Sequence, residues 1–200
     1  MKKYLLILSI LFISIASSKS EIIIDNKEVI SLIENSWNKI NTMSGRFQQT
    51  DTDNNIENGD FVFDKPYKAR FTYDNKDETI ITNKILISVL DAEGYQVDSY
   101  PLGNSPIKKI LSDEIRFDEI FEIVSIEQIF DQENVYQISA TNKDSDNKSG
   151  KVLFFFSIDD LTLKKWVIFD EFSNKTVLEF TNIKKNISIS QNTFVVKHRY

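Results

Sequence analysis

Between positions 46 and 100, apolar and polar residues alternate along short runs of sequence. In one run, Phe61 and Phe63 fall on one face and Asp60 and Asp64 on the other. This period of two is that of a β-strand, whose side chains point alternately to opposite faces of a sheet. The runs are separated by Asn, Asp, Gly and Lys, which favour tight turns. This part of the chain therefore predicts antiparallel hairpins with one aromatic face and one polar face.

The same pattern returns after position 121. The predicted strands are 46–50, 59–64, 68–73, 78–82, 85–91 and 95–100, followed by 122–130, 134–141, 151–158, 163–169, 176–183 and 193–196. So many short strands favour one large antiparallel sheet that is rolled towards a barrel and covered on its open side. The length predicts a single domain, because about 180 residues suffice for one well-buried core and are too few for two.

Two amphipathic helices interrupt the strand pattern. The first has about 14 residues and begins at Asp25 or Asn26, either of which can cap it. Its apolar stripe consists of Val29, Ile30, Ile33, Trp37 and Ile40. The second is short: Ser105 can cap it, Pro106 suits its first turn, and its apolar residues are Ile107, Ile110 and Leu111. Residues 113–121 fit either another helical turn or the start of a strand.

The N-terminus has the layout of a secretory signal peptide. Lys2 and Lys3 precede an apolar run at positions 4–15, and small residues follow it. The run is too short for a membrane span, which needs about 20 residues. We expect cleavage after Ser18 or Ser20, so that residues 1–20 are removed and residues 21–200 form the exported domain. The chain has no cysteine, so it carries neither a disulfide nor the acylated cysteine of a bacterial lipoprotein.

Composition argues against several classes of function. The net charge of -6 becomes more negative when the lysines of the signal peptide are lost, which disfavours nucleic acid and anionic membrane surfaces as partners. The single histidine, His198, lies near the end, and acidic pairs such as 113–114 and 159–160 fall in predicted turns. The five glycines form no phosphate-binding loop. A binding protein without a cofactor is therefore favoured over an enzyme.

Three segments occur in a recognisable order, namely Met43-Ser-Gly-Arg-Phe-Gln-Gln49, Gly59-Asp-Phe-Val-Phe-Asp-Lys-Pro-Tyr-Lys-Ala-Arg-Phe-Thr-Tyr73 and Ser105-Pro-Ile-Lys-Lys-Ile-Leu111. They contain a Phe-x-Gln strand, a Gly-x-Phe strand ending in Lys-Pro, an aromatic strand, and a helix that opens with Ser-Pro. In this order and spacing the chain resembles the LolA family over nearly all of its length after the signal peptide.

The resemblance implies an incomplete antiparallel β-barrel, or half-barrel, covered by a lid of three helices. An apolar cavity between sheet and lid would hold the acyl chains of lipoproteins in the periplasm of a Gram-negative bacterium. The chains would come from an inner-membrane lipoprotein-releasing ABC transporter and pass to an outer-membrane receptor or to the outer membrane itself. The carrier would act as a monomer and need no metal or other cofactor.

The residues expected to line this acyl-chain cavity lie on the two helices and on the aromatic faces of the strands. They are Ile33, Trp37, Phe47, Phe61, Phe63, Phe71, Tyr73, Ile110 and Leu111. Each of them also fits ordinary core packing, which is the usual role of alternating aromatic residues.

Lys65 stands before the proline where the family typically has an arginine that bonds to lid carbonyls and holds the empty cavity closed. Lysine keeps the charge but lacks the planar fork of five donors, so a weaker latch is expected. The alternative is a solvated lysine at a strand end.

Two other binding functions share this kind of fold. One is a periplasmic domain that senses lipids or lipoproteins and regulates a membrane partner. Such proteins usually carry a second domain, and this chain ends soon after its last predicted strand, so the carrier is favoured. The other is the outer-membrane receptor itself, which needs an anchoring cysteine that this chain lacks.

Overall fold

The computed structural model describes residues 25–103, 105–130, 134–143, 150–170 and 172–199. The predicted signal peptide, residues 1–20, lies outside the described residues. Within the described part of the chain, no helix is both long enough and apolar enough to cross a membrane.

Helix α1 (Asn26–Asn38) forms where the apolar stripe predicts it. The side chain of Asp25 caps it by accepting a hydrogen bond from the backbone N–H of Lys27 at 3.2 Å. Its buried residues are Val29, Ile30, Ile33 and Trp37. The helix therefore packs on one side and is exposed to solvent on the other.

Eleven antiparallel strands form one sheet. They are β1 (Thr42–Thr50), β2 (Ile56–Asp64), β3 (Lys68–Tyr73), β4 (Thr79–Thr82), β5 (Leu86–Leu90), β6 (Gln96–Pro101), β7 (Phe121–Ile129), β8 (Val135–Asn142), β9 (Lys151–Ser157), β10 (Leu163–Phe169) and β11 (Lys175–Lys185). Their spatial order is β6-β5-β4-β3-β2-β1-β11-β10-β9-β8-β7. The edge strands β6 and β7 do not pair, so the sheet stays open and the predicted half-barrel is confirmed.

Two short helices connect the edge strands, α2 (Pro106–Ile110) and α3 (Phe117–Ile120). The ambiguous stretch 113–121 thus contains a helical turn, and β7 begins immediately after it. Ser105 occupies the cap position of α2, as predicted, but its side chain makes no capping hydrogen bond. Among the described residues the sheet is therefore accompanied by the three helices that the resemblance implied.

The prediction of a strand at 193–196 is wrong. The segment Gln191–Phe194 is a 3-10 helix. Ser190 caps it by accepting a hydrogen bond from the N–H of Asn192 at 3.3 Å. The guanidinium of Arg70, on β3, donates to the carbonyl of Thr193 at 2.9 Å. These contacts outweigh the strand preference of the β-branched residues in the segment.

The two faces of the sheet differ in how they are packed. The first, here called the covered face, bears the main core cluster, which includes Phe61, Phe154 and Trp166. The opposite or outer face bears a smaller cluster centred on Val135, Phe155 and Val167.

Two glycines allow the aromatic rings of the covered face to lie flat against neighbouring strands. Gly45 pairs with Phe61, and Gly59 pairs with Phe47, across β1 and β2. A Cβ atom added at Gly59 would lie 2.1 Å from the carbonyl oxygen of Thr72 and 2.6 Å from the Phe47 ring. The ring of Phe47 occupies the space that a side chain at Gly59 would need.

Candidate functional site

The three helices and the residues that link α2 to α3 lie against the covered face, and we call this unit the lid (residues 26–38 and 106–120). Ile33, Trp37 and Phe117 of the lid share one buried cluster with the aromatic residues of the sheet. The ring of Trp37 meets that of Phe156 edge-on, with 6.4 Å between centroids. The lid thus seals the apolar face of the sheet.

All nine residues expected to line the cavity meet in this cluster, and each is 8% exposed or less. Phe47 and Phe71 contact each other edge-on at 5.3 Å between ring centroids, and Phe61 lies 4.8 Å from Phe63. Their side chains fill the space between sheet and lid. The geometry is that of a closed core, and a ligand of any size would enter it only as the lid moves away.

The second half of the sheet contributes residues that the sequence-based set omits. Val152, Phe154 and Phe156 on β9, Trp166 on β10 and Phe180 on β11 are buried in the same cluster. The continuous apolar runs at 152–156 and 166–169 predict that these strands are buried. The family-like segments, which suggest the site, all lie before position 112 and do not include these runs.

The two tryptophans of the main core cluster, Trp37 in the lid and Trp166 in the sheet, differ in their hydrogen bonding. The indole Nε1 of Trp37 donates to the carbonyl of Ile110 at 2.8 Å and so joins α1 to α2. The indole Nε1 of Trp166 is buried and has no acceptor among the described residues. A buried donor without a partner costs about 1–3 kcal/mol.

Polar side chains of α1 hold the rest of the lid in place. Asn38 donates to the carbonyl of Ile115 at 3.0 Å and accepts from its N–H at 2.8 Å. One carboxylate oxygen of Glu34 accepts from the N–H of Phe117 at 2.6 Å. These bonds satisfy backbone groups that no regular ladder would pair, so the three helices behave as one unit.

Burial raises the pKa of Glu34, and the nearby Asp118 raises it further, although the bond from Phe117 and the charge of Arg116 oppose this. The folded protein therefore binds a proton at Glu34 more tightly than the unfolded chain does. Folding is favoured most below the ordinary value of 4.5, and this contribution is lost as the pH rises through the folded-state pKa.

Replacing Glu34 by glutamine should remove this pH dependence. The amide keeps an acceptor for the N–H of Phe117 but never ionises. We expect Glu34→Gln to be more stable than the wild type at neutral pH, and the difference to vanish at pH about 3, where the carboxyl is protonated in both states. Urea unfolding at several pH values measures this. Glu28→Gln, on the exposed face of α1, is the control and should show no gain; an equal gain there would assign the effect to net charge.

The turn between β2 and β3 joins the sheet to two parts of the lid, the C-terminal end of α1 and the residue that follows α2. The ammonium of Lys65 donates to the carbonyl of Trp37 at 3.3 Å and lies 5.7 Å from the centre of its ring. The N–H of Tyr67 donates to the carbonyl of Leu111 at 2.7 Å. Burial lowers the pKa of Lys65, and the charge of Asp113 opposes that shift. Lys65 therefore reaches the lid rather than open solvent.

A surface groove of about 540 Å³ follows the seam between α1 and the edge strand β7. Its apolar lining is aliphatic and consists of Ile30, Ile123, Val124 and Ile126, and charged residues such as Lys27 and Arg116 stand at its rim. Ile123 and Ile126 also pack against the main core. The groove therefore runs along the boundary where the lid would separate from the sheet.

A larger cavity of about 690 Å³ lies on the outer side of β3 to β5, next to the C-terminal segment. Basic residues, among them Arg70 and Lys197, face acidic ones such as Asp77 and Glu93. This mixed-charge lining suits a polar ligand and not the hydrocarbon chains that fit the apolar cluster. Nor do three His, Cys, Asp or Glu side chains come together anywhere in the described ranges so as to hold a metal ion.

Comparison with known proteins gives one family match. The family model described as "Outer membrane lipoprotein carrier protein LolA" matches residues 38–197. No curated protein sequence matches the chain.

Three solved structures illustrate the structural likeness. A LolA superfamily protein from Nitrosomonas europaea is 10% identical, with 83% of this chain and 97% of that chain covered and a TM-score of 0.44. An uncharacterized conserved protein from Thermus thermophilus is 8% identical, with 88% and 100% covered and a TM-score of 0.50. The Pseudomonas aeruginosa MucA/MucB complex is 10% identical, with 86% and 62% covered and a TM-score of 0.43. At such identities the likeness is one of fold.

Proposed function

Because the chain belongs to the LolA family, whose model matches residues 38–197, we propose that it is a periplasmic carrier of lipoprotein acyl chains. The observation that carries this proposal is the lid. An aromatic face of the sheet is covered by three helices, and a few side-chain hydrogen bonds help to hold them in place. Because these bonds are few, the helices can move away from the sheet in the loaded state.

Acyl chains take the place of the lid contacts in the loaded state. Each methylene group that leaves water contributes about 0.8 kcal/mol, so the acyl chains of one lipoprotein can offset the loss of several lid contacts. The groove along α1 and β7 offers an aliphatic surface on which the first chain can lie while the lid is still closed. The carrier takes its cargo from an inner-membrane lipoprotein-releasing ABC transporter and delivers it to an outer-membrane receptor or to the membrane itself.

Lys65 acts as the latch of the closed state. Replacing it by methionine removes the bond to the carbonyl of Trp37 and should speed the uptake of a fluorescent fatty acid about fivefold. Lys65→Arg offers more donors to the same carbonyl and should slow the uptake. Stopped-flow fluorescence measures both rates. Lys68→Met is the matched control, because Lys68 is exposed and pairs with Asp64; an equal acceleration there would exclude the latch.

The test of the carrier function is the release of a newly made triacylated lipoprotein from spheroplasts that contain a compatible releasing transporter. With the purified protein present, we expect the lipoprotein to appear in the supernatant and to co-elute with the carrier one-to-one in size exclusion. If nothing is released while the transporter still works with its own carrier, the proposal fails. That result would favour the alternative function, a lipid- or lipoprotein-sensing domain that regulates a membrane partner.

A further inference from the structure

Trp166, like Ser105, has a buried side-chain polar atom without a hydrogen-bond partner in the described part of the chain. Trp166 lies on the covered face. Its ring stacks on Phe63 at 6.2 Å between centroids and meets Phe180 edge-on at 5.1 Å. These contacts fix the ring and therefore the direction of its N–H group. Yet that N–H has no acceptor within the described residues. More than nine in ten buried polar groups in native proteins are paired, so this donor calls for an explanation.

The neighbours of Trp166 show what kind of acceptor is missing. The side chains in ring contact with it, those of Phe63 and Phe180, are aromatic hydrocarbons without an oxygen atom. A molecule that fits an apolar space and carries an acceptor would supply the missing partner. An acyl chain meets both conditions at once, because its hydrocarbon part suits the cluster and its carbonyl oxygen accepts hydrogen bonds without donating any.

We propose that the indole N–H of Trp166 donates to the carbonyl oxygen of an acyl ester or amide when the lid opens and a ligand enters. This assignment rests on the proposed acyl-carrier function and adds to it a residue that selects acyl groups over plain alkyl chains. The cost of the unpaired donor in the empty protein is removed when the ligand binds, so it becomes a difference in affinity between ligands with and without a carbonyl.

The experiment compares two ligands that differ only in this oxygen. Monododecanoylglycerol contains an ester, whereas monododecylglycerol has an ether at the same position, and both displace a fluorescent fatty acid if they bind. The wild type should bind the ester about tenfold more tightly than the ether. Trp166→Phe keeps the aromatic ring but lacks the donor, and it should bind the two equally. Because each ratio is measured on one protein, a change in stability does not affect it.

Phe155→Leu is the control, since Phe155 belongs to the smaller cluster on the outer face and not to the cluster that contains Trp166. This variant should lose stability but keep the preference for the ester. An NMR spectrum of the indole N–H groups in the wild type gives a second readout. The Trp166 signal should move downfield on adding the ester, as a new hydrogen bond requires, and should not move downfield with the ether. This readout keeps the proposal testable even if Trp166→Phe does not fold.

The outcomes separate this proposal from the function on which it rests. If the wild type binds both ligands equally, or if Trp166→Phe retains the preference for the ester, the proposed hydrogen bond from Trp166 is disproved while the carrier function stands. If the wild type binds neither glycerol derivative nor a triacylated cysteinyl peptide, the carrier function itself fails. If Trp166→Phe loses affinity for the triacylated peptide but not for a diester phospholipid, the hydrogen bond from Trp166 is supported and its ligand is a lipoprotein. If it loses affinity for the phospholipid but not for the peptide, the hydrogen bond is supported and its ligand is a phospholipid.

Discussion

Replacing Gly59 by alanine should lower the free energy of unfolding by about 3 kcal/mol, although alanine is the better residue in a strand by about 0.5–1 kcal/mol. The new Cβ would lie 2.1 Å from the carbonyl oxygen of Thr72, a backbone atom, and 2.6 Å from the ring of Phe47. Neither neighbour can give way easily, because Thr72 belongs to β3 and the ring of Phe47 is held edge-on between those of Phe71 and Tyr73. The substitution therefore forces β2 away from β3.

Thermal and urea unfolding followed by circular dichroism measure this effect, and the melting temperature should fall by about 10 °C. Asn58→Ala, one residue earlier and on the opposite face, loses one partly buried hydrogen bond and should cost no more than about 1 kcal/mol. Adding Phe47→Leu to Gly59→Ala should cost less than the sum of the two single changes, because the smaller side chain makes room for the methyl group. A melting temperature for Gly59→Ala within about 2 °C of the wild type would contradict this account of the close packing.

Removing the side chain of Asn38 should have the next largest effect, about 3 kcal/mol of stability, because one amide satisfies both the N–H and the carbonyl of Ile115. The same substitution should loosen the lid, since α1 then loses two of its bonds to the segment between α2 and α3. A fluorescent fatty acid should consequently enter Asn38→Ala faster than the wild type.

Asn35→Ala is the matched control for Asn38→Ala. Asn35 lies on the exposed side of the same helix, and its side chain bonds to Ser31 alone among the described residues, at 3.4 Å, so its loss should change stability by about 0.5 kcal/mol at most. Urea unfolding and stopped-flow fluorescence on both variants give the two comparisons. If Asn38→Ala is destabilised but takes up the fatty acid no faster, the lid contacts serve folding alone and do not control access.

Strand prediction succeeds where strand-favouring residues follow one another without interruption. β3 and β10 have the predicted bounds, because 68–73 and 163–169 contain no glycine and carry mostly strand-favouring residues. β1 begins at Thr42, four positions before the predicted start, because Ser44 and Gly45 have low strand preference and conceal the buried Met43. At 193–196 the local preference misleads, since a capping serine and a distant arginine decide the structure.

The candidate site is harder to predict from the sequence, because periodicity shows which face a side chain occupies and not what lies opposite it. The alternation of Phe61 and Phe63 predicts that both are buried, but it cannot indicate that Trp166, about a hundred residues away, packs beside them. The missing partner of the Trp166 N–H is likewise visible only when all its neighbours are known. For the same reason, periodicity does not predict the contact between Lys65 and the carbonyl of Trp37, which the family resemblance suggests.

The order of the strands also affects how this chain must fold. β1 to β6 form hairpins between neighbours in sequence, and so do β7 to β11. The two halves of the sheet pair through β1 and β11, where Thr50 and its neighbours face Val177 and its neighbours. Pairing over so great a distance along the chain is slow, because the entropy cost of closing a long loop comes before any stabilising contact forms. Until β11 has been synthesised and docked, the phenylalanines of the first half lie on an unfinished sheet with an open edge, a state that is prone to aggregation. A factor that protects the newly made chain would therefore have to act until β11 has docked on β1.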